Sequence, residues 1–298
     1  MNILVTGASG LIGSALVSSL TAIGHGVTRL VRAQTTFAEP AARWDPRAGT
    51  IDANAFGGVD AVVHLAGENI AQRWTPARKA DIRDSRVKGT QVLCEALARL
   101  ASPPKVLVSA SAIGYYGDRG EEILTETSPP GRGFLAEVCR AWEAATEPAQ
   151  QHGIRVVSLR FGVVLSSAGG ALAKMLPPFR LGLGGVLGSG RQYMSWIALD
   201  DVVGAIQQAI VSEALRGPTN AVAPRAITNQ EFTKVLGKTV GRPTVLPLPA
   251  FAARLMFGEM ADELLLASTR VEPAKLLASG YQFRYPELEH ALRHLLAQ

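Results

Sequence analysis

A glycine triplet near the start of the chain limits its fold more than any other feature. The segment Val5-Thr6-Gly7-Ala8-Ser9-Gly10-Leu11-Ile12-Gly13 follows a short apolar run, Asn2 to Thr6. It leads into Leu11 to Ile23, where Ile12, Leu16, Leu20 and Ile23 recur at helical spacing and Gly24 supplies a stop. A strand, a turn with glycines three apart and a helix are the opening parts of a dinucleotide-binding βαβ unit. Gly7 permits the tight turn, Gly10 lets backbone approach a pyrophosphate, and Gly13 lets the helix pack closely. The backbone N–H groups around Ser9, Leu11 and Ile12 would then meet the phosphates. The plainer alternative is a glycine-rich turn with no ligand.

Strand and helix patterns keep alternating after this unit. Strands are expected at Val27 to Val31, Asp60 to Leu65, Lys105 to Ser109 and Arg155 to Leu159, with helices over about Pro76 to Leu100 and Leu135 to Gln150. Apolar strands separated by helices imply a parallel sheet covered on both faces. The expected fold is therefore α/β, a Rossmann-type doubly wound parallel sheet with a smaller C-terminal α+β substrate domain. The boundary is placed at residues 1–165 and 166–298, with about 196–223 folding back onto the first unit through a helix at Leu199 to Val211. Behind Pro177-Pro178, glycines 182, 184, 185, 188 and 190 predict a loop that either closes over a ligand or merely connects.

Composition removes several classes of function. In 298 residues, 47% of them hydrophobic, there is material for a large core and no compositional bias. The net charge of +5 is spread along the chain, which argues against nucleic acid as a partner. No run of about 18 apolar residues suggests a membrane span, and the first residues lack the basic and apolar regions of a signal peptide. The two cysteines, Cys94 and Cys139, have no metal-ligand spacing and suit a reducing compartment, so a cytoplasmic location is expected and no metal site.

The end of the second strand bears on the form of the cofactor. NAD sites place an acidic residue there to hold the ribose hydroxyls. This chain has Leu30-Val31-Arg32, with the nearest acids in sequence at Glu39 and Asp45. Arg32 would pair with a 2′-phosphate, so NADP(H) is the expected cofactor. At the end of the Asp60 strand, His64-Leu65-Ala66-Gly67 supplies small residues that let backbone pass close to the adenine ribose.

Longer blocks narrow the reading. They are Arg73-Trp74-Thr75 with Arg78-Lys79, Asp84-Ser85-Arg86-Val87-Lys88-Gly89-Thr90, Ser109-Ala110-Ser111-Ala112-Ile113-Gly114-Tyr115-Tyr116-Gly117, Phe179 to Gly185, and Ser195-Trp196-Ile197. With the glycine triplet, they resemble the extended short-chain dehydrogenase/reductases, in an atypical epimerase-family branch (NAD-dependent epimerase/dehydratase-like) with a C-terminal domain of unknown function. The resemblance covers essentially the whole chain. It implies an NADP-binding Rossmann fold in which Leu65 and Ala66 line the cofactor, joined by Asp81, Arg86 and Val163.

One part of that superfamily's chemistry is missing. It needs a tyrosine followed four residues later by a lysine, to move a proton and to hold the nicotinamide ribose. None of the five tyrosines here has a lysine at that distance. At the expected helix the two positions hold Phe134 and Val138, or Leu135 and Cys139. Ser111 remains where the superfamily's catalytic serine lies, and Tyr115 or Tyr116 could substitute as acid/base. A small-molecule substrate is expected between the nicotinamide and Pro177 to Trp196, where Arg180, Arg191, Gln192 and Tyr193 supply anion-binding, hydrogen-bonding and ring-lining groups; Trp196 reads better as core. Two functions compete: an NADP(H)-dependent oxidoreductase or epimerase with a non-standard acid/base group, and an inactive NADP(H)-binding sensor or scaffold.

Overall fold

β1 (Asn2–Thr6), α1 (Leu11–Ala22) and β2 (Gly26–Arg32) form the opening unit that the glycine triplet predicts. Two strands that extend one side of the sheet follow, β3 (Ala41–Asp45) and β4 (Thr50–Ile51), in a stretch where the sequence reading names none. Then come β5 (Ala61–His64), α2 (Pro76–Ala98), β6 (Val106–Ala112) and a short β7 (Ile123–Leu124). α3 (Phe134–Ala144) and α4 (Glu147–Gln151) lead to β8 (Arg155–Phe161) and β9 (Val163–Leu165). Next are α5 (Gly170–Arg180), β10 (Tyr193–Met194), β11 (Trp196–Ala198), α6 (Leu199–Val211) and β12 (Gly217–Ala221). The chain finishes with β13 (Ile227–Thr228), α7 (Asn229–Val240), α8 (Ala250–Phe257), a π-helical turn at Ala261–Leu266, β14 (Arg270–Val271), α9 (Ala274–Ala278) and α10 (Leu288–Leu296). The structure is a computed structural model, and it describes residues 1–32 and 41–297.

Eight strands make one sheet in the order β12-β8-β6-β5-β1-β2-β3-β4. Every neighbouring pair is parallel except β3 with β4. Strand order reverses between β1 and β5, and such a reversal opens a crevice at the carboxyl ends of the strands. The sheet is apolar on both sides because both are covered. α1 and α6 bury Leu16, Leu20, Val202 and Ile206 on one face. α2 and α4 bury Leu93, Cys94, Leu97 and Ala149 on the other. A third core, with Leu172, Leu176, Phe179, Trp196, Phe232, Leu236 and Leu292, lies beyond the sheet. Trp196 is fully buried there, as its core reading expects. Among the described residues, no helix is long and apolar enough to cross a membrane.

Two local expectations are corrected, and a third gains a preceding helix. The single helix read over Leu135 to Gln150 is two, because the Thr146 hydroxyl donates to the Glu143 carbonyl and Pro148 cannot continue the ladder. The loop read behind Pro177-Pro178 is present over 181–192, and the two prolines before it lie inside α5, whose Leu172, Leu176 and Phe179 are buried at helical spacing and hold the turn against the third core. β6 and β8 run past their expected ends to Ala112 and Phe161, which pairs Ser111 with Arg160 in register.

Candidate active site

The glycine turn comes first. Gly7 has φ +67°, and a Cβ there would meet the Leu65 carbonyl at 2.7 Å. That position needs glycine twice over, for its left-handed backbone and for the close approach of the loop after β5. A Cβ on Gly13 would stand 2.2 Å from the Gly7 oxygen, so this glycine packs α1 onto the turn itself. Gly10 is the N-cap of α1, a helix of 12 residues with no side-chain cap and no acidic residue in its first turn. Its leading N–H groups are left to an outside acceptor. Ser9 and Gly10 are exposed, and Leu11 and Ile12 are half-buried.

A buried polar chain fixes the loop that faces this turn. The Thr6 hydroxyl accepts the N–H of Leu65 (3.1 Å) and of Ala66 (3.2 Å). Its own hydrogen therefore goes to His64 Nδ1 at 2.7 Å. That assigns the proton of the ring to Nε2, which donates to Thr90 Oγ1 at 3.0 Å, and Thr90 also accepts the Trp142 indole at 2.9 Å. Burial brings the His64 imidazole down from 6.5 to about 4, so the ring stays neutral. β1, β5, α2 and α3 are tied together by this chain.

Past Ala66, the loop meets a set of alternating charges. Arg32 Nη1 lies 3.3 Å from Glu68 Oε1, and Arg78 Nη2 lies 3.7 Å from Glu68 Oε2. Arg78 also faces Asp81 at 4.0 Å, and Asp81 faces Arg47 at 3.5 Å. The acid beside Arg32 is thus Glu68, brought from the far side of β1, while Glu39 lies outside the described residues. Arg86 donates to the Ile82 carbonyl at 3.1 Å and to the Glu68 carbonyl at 3.0 Å, with its guanidinium over the Trp142 ring. A Cβ on Gly67 would be 3.3 Å from that guanidinium, so Gly67 keeps the approach to Arg86 clear. Burial lowers the Arg86 pKa, with Cys139 and Glu68 opposing the shift.

The ends of β6 and β8 hold a second network. Ser111 Oγ donates to Glu143 Oε1 at 2.7 Å. Arg160 grips the same carboxylate with two bonds, 2.7 and 2.8 Å, and donates to the Tyr116 hydroxyl at 2.9 Å. Tyr116 is fully buried and its hydroxyl passes its own hydrogen toward Asn220 Oδ1 at 2.7 Å. Burial alone would pull the Arg160 guanidinium down, but the Glu143 bonds and charge outweigh it and hold the group above its usual value. Burial also raises the Tyr116 phenol, against the pull of Arg160. Tyr115 is half-buried beneath the Arg160 guanidinium, which lies 3.4 Å from the centre of its ring. Of the three expected catalytic side chains, Ser111 and Tyr116 are thus engaged inside the protein.

On α3, Leu135, Val138 and Cys139 are all buried, and burial pushes the Cys139 thiol up to about 12. The first turn of α3 is capped from far along the chain. Both oxygens of Glu263 accept, one from the N–H of Phe134 and one from that of Leu135, each at 2.8 Å. Val163 is half-buried and paired with Trp196. Among the expected substrate residues, Gln192 is buried and its amide donates to the Leu187 and Leu265 carbonyls at 3.0 and 3.2 Å. Tyr193, next to it, is half-buried with the Arg270 guanidinium 5.0 Å from its ring. Arg180 and Arg191 are exposed, and the Arg180 carbonyl accepts from Arg242 at 3.0 Å.

Four residues were missed by sequence reasoning. Arg160 carried a signal, since a charge inside an apolar central strand needs a buried partner. Glu143, on the neighbouring helix, was the available partner. Glu68 and Glu263 gave no signal in sequence, because their partners are distant in the chain.

A parallel sheet with an order reversal, a glycine turn at the carboxyl end of its central strand β1, and serine and tyrosines at the end of β6 define a Rossmann-type dinucleotide-binding protein of the short-chain dehydrogenase/reductase kind. Residues 3–221 match the NAD dependent epimerase/dehydratase family, and residues 248–295 match a domain of unknown function, DUF1731. The chain belongs to that epimerase/dehydratase family. It is 50% identical over 97% of its length to "Epimerase family protein Mb2239" of Mycobacterium bovis, covering 95% of that protein. Human "Epimerase family protein SDR39U1" is 38% identical, with both chains covered in full. The crystal structure of the human protein (isoform 2) with NADPH superposes with a TM-score of 0.91 at 36% identity, over 100% of this chain and 99% of that one.

Proposed function

We propose that the chain binds NADP(H) across the carboxyl ends of β1, β2, β5, β6 and β8 and acts as an oxidoreductase or epimerase on a small molecule. Gly10 carries this reading. Its φ of −76° and ψ of 171° suit any residue, and a Cβ would find only the Gly7 oxygen, at 3.3 Å, within 4 Å. That contact is tight and asks the Gly7 oxygen to give by a few tenths of an ångström, so packing favours glycine only mildly, whereas a pyrophosphate at an uncapped helix start requires it. The NADPH in the human relative supports the phosphorylated form of the cofactor.

In this reading Gly7, Ser9, Gly10, Leu11, Ile12 and Gly13 take the pyrophosphate, Leu65, Ala66 and Gly67 back the adenosine side, and Val163 borders the far end. The bound nicotinamide supplies the hydride chemistry. Val138 or Cys139 occupies the place of the superfamily's lysine, and Arg86, close enough for its charge to act on the Cys139 thiol, supplies a fixed cation from α2 instead. Tyr115 is the better placed of the two tyrosines for proton transfer, and Ser111 would release Glu143 to hold a substrate oxygen. Residues 166–298, apart from about 196–223, would form the substrate side of the cleft, with Tyr193, Arg191 and Arg180 as its candidate contacts and Gln192 bracing the loop that carries them. The sensor reading has only the missing Tyr-Lys pair in its favour.

Titration of NADPH and NADH against the wild type and Arg32→Ala tests the proposal. The wild type should prefer NADPH, and losing one charge-assisted contact should cut that preference about tenfold. Equal affinities in the wild type would refute it.

A further inference from the structure

Arg78 is poorly satisfied where it stands. Its Nε is buried without a partner, a rare condition for a guanidinium donor. Among the described residues, the one hydrogen bond of its side chain is from Nη2 to the Asn69 carbonyl at 3.2 Å. Its two carboxylate neighbours, Glu68 at 3.7 Å and Asp81 at 4.0 Å, lie beyond hydrogen-bond length. The side chain is nonetheless only 23% exposed. Across Glu68 stands Arg32, 70% exposed, whose one ion pair among the described residues is at 3.3 Å to the same carboxylate. Two loosely held guanidinium groups therefore converge on one carboxylate at the end of β2, where the adenosine end of a dinucleotide lies in this fold.

The carboxylate itself is held by its backbone. The Glu68 N–H donates to Ser85 Oγ at 3.1 Å, and its carbonyl accepts from Arg86. Its side chain, 29% exposed, can turn away without disturbing either bond. A phosphate offers the same kind of oxygen acceptors with more charge, and guanidinium groups bind it in two-pronged fashion.

We propose that Arg32 and Arg78 are the two arms of a subsite for the phosphate on the adenosine 2′ position, with Glu68 as a built-in counter-ion that the phosphate displaces. Asp81 is then a positioning residue that holds Arg78 from behind. The inference rests on the reading that NADP(H) binds at this crevice. It makes Glu68 a specificity determinant, keeping the arms paired in the free protein and opposing a second negative charge until it moves.

The test compares adenosine 2′,5′-bisphosphate with AMP, and NADPH with NADH, by titration against the wild type, Arg32→Ala, Arg78→Gln, Arg78→Ala and Glu68→Gln, each checked for fold by circular dichroism. Both Arg78 variants should weaken the bisphosphate and NADPH about tenfold and leave AMP and NADH within about twofold. Glu68→Gln should tighten the phosphorylated pair about threefold to tenfold, an effect that fades in high salt, with NADH unchanged. The inference is overturned if the Arg78 variants lower both pairs equally, if Glu68→Gln leaves the bisphosphate unchanged, or if it weakens NADH, which would make Glu68 a ribose ligand. If Arg32→Ala alone erases the preference for the bisphosphate, the NADP(H) reading stands and this subsite fails. If the wild type shows no preference at all, both fail.

Discussion

Acidification should weaken the fold through one imidazole, and His64→Gln isolates the effect. His64 lies fully buried between Thr6 and Thr90 with its pKa brought down to about 4, against 6.5 for the exposed ring. Near neutral pH the ring is uncharged in both folded and unfolded chains, so it adds no pH dependence. As pH falls through the unfolded value the open chain takes up a proton that the folded chain refuses. Stability is thus fully present above about pH 6.5 and is lost toward pH 4. At about pH 5 the loss from this group comes to about 2 kcal/mol, approaching about 3 kcal/mol once both forms are protonated. The glutamine variant should be less stable than wild type near neutrality, by about 1–3 kcal/mol for the disturbed hydrogen-bond chain. The gap should then close by about 2 kcal/mol on going to about pH 5, because the variant lacks the titrating group. Urea unfolding followed by tryptophan fluorescence at a series of pH values reads this directly, since Trp142 donates into the same chain. A ring-proton resonance missing from the variant and unmoved in wild type from neutrality to about pH 5 is the matching NMR result. A stability gap that stays constant with pH would refute the neutral buried ring.

Other outcomes follow from the same contacts. Glu143→Ala strands a buried Arg160 and should cost about 3–5 kcal/mol in unfolding free energy, the range for breaking one half of a buried pair; a loss under about 1 kcal/mol would mean that water reaches the pair. Gly10→Val should keep the circular dichroism of the fold, since its backbone angles suit valine and the Gly7 oxygen need give only a few tenths of an ångström, yet abolish the fluorescence change of added NADPH. Cys94 and Cys139, both buried with thiols pushed up to about 12, should escape iodoacetamide in the native protein at mildly alkaline pH and react on unfolding, as read by intact mass. Rapid native labelling of Cys139 would contradict its place in the core.

The parts of the fold that could be read in sequence were those whose cause is local. The triplet Gly7, Gly10 and Gly13 states its strand, turn and helix within a dozen residues, and the apolar runs state the parallel sheet. The outer strands β3 and β4 were missed because Ala41 to Asp45 carries little alternation, and Trp44 shows its role only once it is buried against the sheet. α5 was not named because Pro177 and Pro178 hide it, yet a helix can keep prolines where burial of Leu172, Leu176 and Phe179 outweighs the lost bonds. The site divides in the same way. Arg32 was legible as a cation at a strand end, but its carboxylate neighbour lies 36 residues on. Ser111 was legible by position, whereas its commitment to Glu143 depends on how α3 lies against β6.

The bond pair from Glu263 gives the far end of the chain a part in making α3. The two N–H groups it receives lie 129 and 128 residues earlier. During synthesis the first turn of that helix must wait, its polar groups turned to water, until the π-helical turn has emerged and docked. A chain cut before residue 248 would keep every strand of the central sheet and still lack the piece that finishes the helix beside the cleft. The segment around Glu263 is therefore a late assembly step for the half that carries the glycine turn, one that ties the finishing of α3 to the docking of the π-helical turn.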